Sequence, residues 1–167
     1  ERIDLLAKKN GVTFSGSGIW DQSRIWAGIL AVGPCVELRS LFHSSTTDAQ
    51  RFGLGAMRLC GIGQSVEAFQ QQQLGANAVM STYKTIPEHV LVALGYRVRS
   101  ATVRAEPVVF DAPIHCAALE RELADGEVVG TRVVARIDTH EGVTAEAHFE
   151  TRLLREAEVE YMQWFVD

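Results

Sequence analysis

The chain has 167 residues, 47% apolar and 22% charged, the balance of one globular domain with a core of its own. Its net charge of −5 and 16 scattered basic residues argue against a surface built to neutralise nucleic-acid phosphates or anionic lipid. No apolar run reaches the roughly 20 residues that span a bilayer, and Glu1-Arg2-Ile3-Asp4 does not open a signal peptide. The cysteines, Cys35, Cys60 and Cys116, form no CxxC pair and read as small buried side chains of a cytoplasmic protein.

Ile3, Leu5, Leu6 and Ala7 among Arg2, Asp4, Lys8 and Lys9 predict an amphipathic helix over 2–9, stopped by Asn10-Gly11. Val12-Thr13-Phe14 reads as a short strand leading into Gly16-Ser17-Gly18, a turn whose backbone a ligand can approach. Residues 1–18 thus look like the last helix, strand and glycine turn of a dinucleotide-binding unit whose other strands lie upstream, and the chain reads as cut from a longer one. Residues 19–167 form the domain proper.

Asp21 is suited to cap a helix that buries Ile25, Ile29 and Val32, widened by Trp26 and Leu30 and ended by Gly33-Pro34. Cys35 to Phe42 predicts a strand, and the polar run His43 to Asp48 a loop or strand end. From Ala49 to Met80 small residues, glycines and the glutamines 70–73 predict helical pieces joined by loops. Pro87 fits the first position of a helix over 87–95, with Gly95 just past its end.

The last third is strand-rich. Val129, Thr131, Val133, Ala135 and Ile137 alternate with Arg132 and Arg136, and Val143, Ala145, Ala147 and Phe149 with Glu146, His148 and Glu150. Period-two patterning of this kind predicts an antiparallel hairpin with one buried face. A loop His140-Glu141-Gly142, with Gly142 left-handed, sets Arg136 opposite Glu146 and Arg132 opposite Glu150. Strands over 97–109 and 158–166 complete an α+β fold: an antiparallel or mixed sheet with helices packed on one face. Met162, Trp164 and Val166 are expected on the other face, where a sheet-to-sheet homodimer would bury them.

The five histidines form no zinc-type ligand pair, no nucleophile elbow or phosphate loop occurs, and no metal is expected. His115 and Cys116, adjacent in a strand, face opposite ways and do not suit a thiolate pair. Gly16-Ser17-Gly18 alone is a weak motif. Its sequel is more informative: Ile19-Trp20-Asp21-Gln22, an apolar helix to Gly33-Pro34, then Thr47-Asp48-Ala49-Gln50-Arg51-Phe52-Gly53, Ala93-Leu94-Gly95-Tyr96, Ala105-Glu106-Pro107-Val108-Val109 and the hairpin. In order and spacing this series resembles the dihydrodipicolinate reductase-like amine dehydrogenases, relatives of 2,4-diaminopentanoate dehydrogenase, over nearly the whole chain.

The resemblance implies a two-domain NAD(P)-dependent oxidoreductase. Its upstream Rossmann domain binds NAD or NADP, while this chain is the substrate-binding and dimerisation domain that closes over the nicotinamide. In such enzymes hydride passes to an imine made from a ketone and ammonia, and the acidic residue that handles ammonia lies outside this chain, so no catalytic residue is named here. The implied cofactor contacts are Gly16, Ser17 and Gly18, and the implied substrate pocket holds Trp20, Asp21, Arg24, Thr47 and Phe52. Arg24 and Thr47 stand where relatives acting on simple ketones tend to carry aromatics, and Trp20-Asp21 where relatives closer to the diaminopentanoate enzyme carry Asn-Pro. A guanidinium in an apolar pocket needs an anion, and both a substrate carboxylate and Asp21, one helical turn away, qualify. The same residues also suit a non-catalytic small-molecule-binding module.

Overall fold

The computed structural model describes residues 2–13, 18–72 and 81–167, with 19, 20 and 81 described by their backbone alone. In chain order the helices are α1 (Arg2–Lys9), α2 (Ile19–Val32), α3 (Gly53–Leu59), a helical stretch α4 over 66–72, and α5 (Thr85–Ala93). The strands are β1 (Ser40–Asp48), β2 (Val98–Val109), β3 (Ile114–Cys116), β4 (Arg121–Leu123), β5 (Val128–Thr139), β6 (Thr144–Arg152) and β7 (Tyr161–Val166). Five of them make one sheet in the order β2-β5-β6-β1-β7, and β3-β4 form a separate hairpin. Within the large sheet β1 runs parallel to β6 and every other pairing is antiparallel, so the fold is α+β with a mixed sheet. Among the described residues no helix is long and apolar enough to cross a membrane.

The β5-β6 hairpin has the register its charges predict: Arg136 pairs with Glu146 and Arg132 with Glu150, and Gly142 turns the chain at φ 88°. Odd-numbered side chains of both strands point to the helices. Val133, Ala135, Ala147 and Phe149 form one buried cluster with Ile86. Ile137 and Ala145 join Val32, Leu41, Val90 and Leu91 in a second. At the other end of the sheet Met57, Cys116, Leu123, Val129 and Leu153 form a third. Cys116 is fully buried there while His115 is exposed beside Glu122, so the adjacent pair does face opposite ways.

Several expectations need correction; Cys35, read as a small buried side chain, is exposed. The strand placed at Cys35 to Phe42 begins later: 35–39 are irregular, with a bend at 36–37, and β1 starts at Ser40 and runs on through the polar residues His43 to Asp48. Backbone pairing to β6 and β7 on both sides decides this, since a central strand is held by its ladders whatever its side-chain pattern. Val12 and Thr13 are not strand, and Phe14 lies outside the described residues. Helix α5 begins at Thr85, so Pro87 is its third residue; its missing N–H costs nothing anywhere in a first turn. Gly95, at φ 90°, does follow its end. Finally, Trp164 and Val166 point toward α2 and pack with the second cluster instead of the open face. In β7 it is the alternate set that faces away: Phe165 packs on Phe42 of β1, and the Tyr161 hydroxyl meets Ser44 Oγ at 3.0 Å.

Helix α2 seats on β7 through a glycine. The Trp164 indole N–H donates to the Arg24 carbonyl at 3.0 Å, and a Cβ on Gly28 would lie 2.9 Å from that ring and 2.9 Å from Val90 of α5. Only a residue without a side chain lets strand, helix and neighbouring helix meet this closely. That contact fixes the first turns of α2 over the ends of β1, β6 and β7, which is where the site lies.

Candidate functional site

Gly18 enters α2 in an extended conformation (φ −72°, ψ 140°), and its carbonyl accepts from Gln22 N–H at 3.1 Å. Asp21 is therefore inside the first turn, not the cap. Its Oδ1 accepts from Arg24 Nη1 at 3.2 Å, which leaves it 59% exposed while the Arg24 side chain is only 10% exposed. The carboxylate sits well at a helix N-terminus on dipole grounds alone. Asp21 was expected to cap because its residue type favours that role; the ion pair with Arg24 takes its carboxylate instead.

Two clefts meet at Arg24. One, of about 160 Å³, is lined by Asp21, Arg24, Thr47, Phe52, Tyr83, Phe149, Glu150 and Thr151. The other, of about 280 Å³, is lined by Ser23, Arg24, Thr46, Thr47, Glu160, Tyr161 and Met162. Arg24 and Thr47 face both. Four of the five expected substrate contacts, Asp21, Arg24, Thr47 and Phe52, thus come from α2, β1 and the 3-10 turn Ala49–Phe52 onto one cleft. That turn is capped by Asp48, whose carboxylate accepts from Gln50 N–H at 3.1 Å, so the end of β1 and Phe52 are held in a fixed relation. The Trp20 side chain, and Gly16 and Ser17 entirely, lie outside the described residues. Gly18 borders a larger, shallow groove of about 630 Å³ between α2 and α5, whose lining includes Ile25, Trp26, Ile29 and Val92. Asp21, Gln22, Thr85 and His89 also line it, but among the described residues it holds no buried cation, so the chemistry is better sought at Arg24.

The floor beneath Arg24 is unusually polar for a core. The guanidinium carbon stands 5.6 Å from the centre of the Phe149 ring, which also meets Tyr83 at 5.1 Å and His43 at 5.0 Å. His43 stacks in turn on Trp164 at 4.6 Å and is fully buried. Burial, then the nearby Arg24 charge, push the His43 imidazole down to about 4; a contact with the Gln163 backbone that falls short of a hydrogen bond offsets a little of this. The ring is therefore neutral at pH 7. Burial also raises the Tyr83 phenol, against a smaller lowering by Arg24.

Glu150, on the wall of the smaller cleft, is claimed by two arginines. Arg132 Nε donates to Oε1 at 2.7 Å and Arg152 Nε to Oε2 at 2.9 Å. Burial alone would raise its pKa, but those two arginines outweigh burial and hold it below the ordinary value. Glu160 beside the larger cleft is likewise engaged, by Arg51 at 2.9 Å and by Asp48 N–H at 2.8 Å. The remaining acid, Asp21, has Arg24 as its ion-pair partner.

His43, Tyr83, Phe149, Glu150 and Trp164 were not singled out as site residues from sequence. Phe149 and Glu150 were read only as the inward and outward faces of a strand. His43 carried one usable sign, a histidine in a polar run beside an apolar segment, which says little while that run reads equally as a loop or a strand end.

The fold, a mixed sheet covered on one face by helices, defines the class to which the chain belongs structurally. It superposes on an amine dehydrogenase from Mycobacterium smegmatis with a TM-score of 0.89 and 24% identity, over 99% of this chain and 49% of that one. The chain therefore spans about half the length of that protein. No family model matches the sequence, and no curated protein sequence matches it.

Proposed function

We propose that this chain is the substrate-binding and dimer-forming part of an NAD(P)-dependent oxidoreductase acting in the cytoplasm, whose reaction is the reductive amination of a ketone or the reverse oxidation of an amine. The observation that carries the reading is the convergence of Asp21, Arg24, Thr47 and Phe52 on one cleft at the Gly18 end of α2, in a chain that shares the fold of half an amine dehydrogenase. In that reaction ketone and ammonia lose water to give an imine, and NADH or NADPH held by a preceding Rossmann domain would supply the hydride that reduces it, leaving NAD or NADP. The residues described here accept the cofactor's approach without hindrance: Gly18 is exposed, and a Cβ there would meet nothing within 4 Å. Arg24 and Thr47 orient the substrate, Phe52 and Phe149 exclude water from one side of it, and the cofactor contacts proposed from sequence are Gly16, Ser17 and Gly18.

Helix α1 leaves Ile3, Leu5 and Leu6 more than half exposed, apolar surface that fits a helix belonging with the dinucleotide-binding unit. The homodimer forms through the open sheet face, using Phe42, Tyr161 and Phe165, of which the last two are 42% and 53% exposed. No role toward nucleic acid or membrane is proposed.

The full-length protein tests this directly. With NADH or NADPH it should oxidise the cofactor when given a ketone and ammonium together, and not when given either alone. Failure to bind either nucleotide, with ligands still entering the cleft, would leave the chain as a non-catalytic binding module.

A further inference from the structure

Among the described residues, five side-chain nitrogen and oxygen atoms are buried without a hydrogen-bond partner. Four of them sit around one ring: Arg24 Nε, both nitrogens of His43 and Ser45 Oγ. Ser45 is the β1 residue opposite Phe149, the ring that Arg24 overlies and His43 touches. A core normally pairs such groups, because each left bare costs on the order of 1–3 kcal/mol, and concentrations of them mark sites completed by something else.

Arg24 is the member that reaches the clefts. Its guanidinium is a cation with five N–H donors, nine-tenths buried, and its ion pair is a single 3.2 Å contact with an Asp21 that is itself mostly in solvent. One exposed carboxylate at that distance compensates a buried cation poorly. The other acids of the two clefts do not improve this, since Glu150 is held by Arg132 and Arg152 and Glu160 by Arg51.

We infer that the molecule taken by this cleft carries a carboxylate, and that the Arg24 guanidinium is what binds it. The inference rests on the reading of the cleft as a substrate site and narrows its substrate to a keto acid or amino acid. The carboxylate enters beside Thr47, makes the charge-assisted hydrogen bonds that the buried guanidinium lacks, and competes with Asp21 for Nη1. Asp21 is then a gate on affinity: weakening it frees the arginine.

The test is calorimetric binding of pentanoate and of its neutral isostere pentanamide to the full-length protein without nucleotide. Pentanoate should bind at least about tenfold tighter than pentanamide. Arg24→Gln should cost pentanoate about 30-fold, roughly 2 kcal/mol, while Asp21→Asn, at an exposed position that a folded protein tolerates, should tighten it several-fold; neither should move pentanamide. Equal affinity for acid and amide, no measurable pentanoate binding, or indifference to Asp21→Asn would each overturn the inference and leave the orphan atoms to buried water. Because no turnover is measured, a protein that binds pentanoate through Arg24 but never uses NAD(P) loses the dehydrogenase reading and keeps this one. One that aminates ketones with NAD(P)H but binds pentanoate no tighter than pentanamide does the reverse.

Discussion

His43 makes the protein acid-sensitive in a window where its carboxylates are silent. In the unfolded chain a histidine titrates near 6.5; folded, with its ring between Phe149 and Trp164 and facing the Arg24 charge, it titrates at about 4. The unfolded state therefore binds more protons between those values. Stability is fully present above pH 6.5 and is lost as the pH falls toward 4. Between pH 7 and pH 5 the linkage amounts to about 2 kcal/mol. Glu127 and Glu141, held down to about 2 by hydrogen bonds from Arg121 and Arg97 respectively, lose their contribution only at lower pH, so the two effects separate. Urea unfolding of the 167-residue chain by tryptophan fluorescence at pH 7, 6 and 5, with His43→Leu alongside, reads the difference. Leucine has nearly the same volume and removes two unpartnered nitrogens, so the variant should match or exceed the parent at pH 7 and lose less than about 0.5 kcal/mol by pH 5. A parent whose stability is flat from pH 7 to 5, or a His43 ring proton that titrates near 6.5 by NMR, would refute the reasoning.

Three substitutions probe the frame around the site. Gly130→Ala drives a Cβ into the Arg152 Cβ and the Thr151 carbonyl oxygen, across a backbone that cannot yield, and should cost about 3 kcal/mol in thermal unfolding. Arg152→Ala strips the cation that holds both Glu150 and Glu158, the latter through contacts of 2.6 and 3.0 Å, and should cost roughly 3 kcal/mol, with the loss shrinking at low pH as the glutamates protonate. Gly18→Ala should change stability by less than about 1 kcal/mol, because its φ suits any residue and nothing stands near the new methyl; if the cofactor passes here, KM for NAD(P)H in the full-length protein should rise several-fold with little change in kcat.

What was legible in the sequence is what alternation or helical spacing enforces. The β5-β6 register followed from charges because each Arg-Glu pair lies on the outer face, where a slip of one residue would bury all of them. Helix α2 and its end at Gly33 followed from the spacing of Ile25, Ile29 and Val32. The β3-β4 hairpin was missed since three residues a strand are too few to show a period. The faces of β7 were exchanged because both of its rows, Met162, Trp164, Val166 and Tyr161, Gln163, Phe165, are largely apolar; Trp164 and Val166 pack inward, while Met162, Tyr161 and Phe165 are exposed.

The misplacement of β1 is of another kind. A central strand between β6 and β7 normally carries Val and Ile, yet this one buries His43, Ser45 and Thr46 at 0%, 1% and 2% exposure. Thr46 has a weak partner in Glu150 at 3.4 Å, and Ser45 and His43 have none. Packing alone would favour apolar residues at both positions, so stability gives no reason for polar ones unless they hold a hydrogen bond. Ser45→Ala separates the two cases. Removing a hydroxyl that the fold leaves unpaired should raise unfolding free energy by up to about 1 kcal/mol, whereas removing one that holds a structural hydrogen bond should lower it by a similar amount. Chemical unfolding at pH 7 decides between them: a destabilised Ser45→Ala would mean that the polar floor of the cleft serves the fold, and that the distance between sequence pattern and burial here carries no message about a ligand.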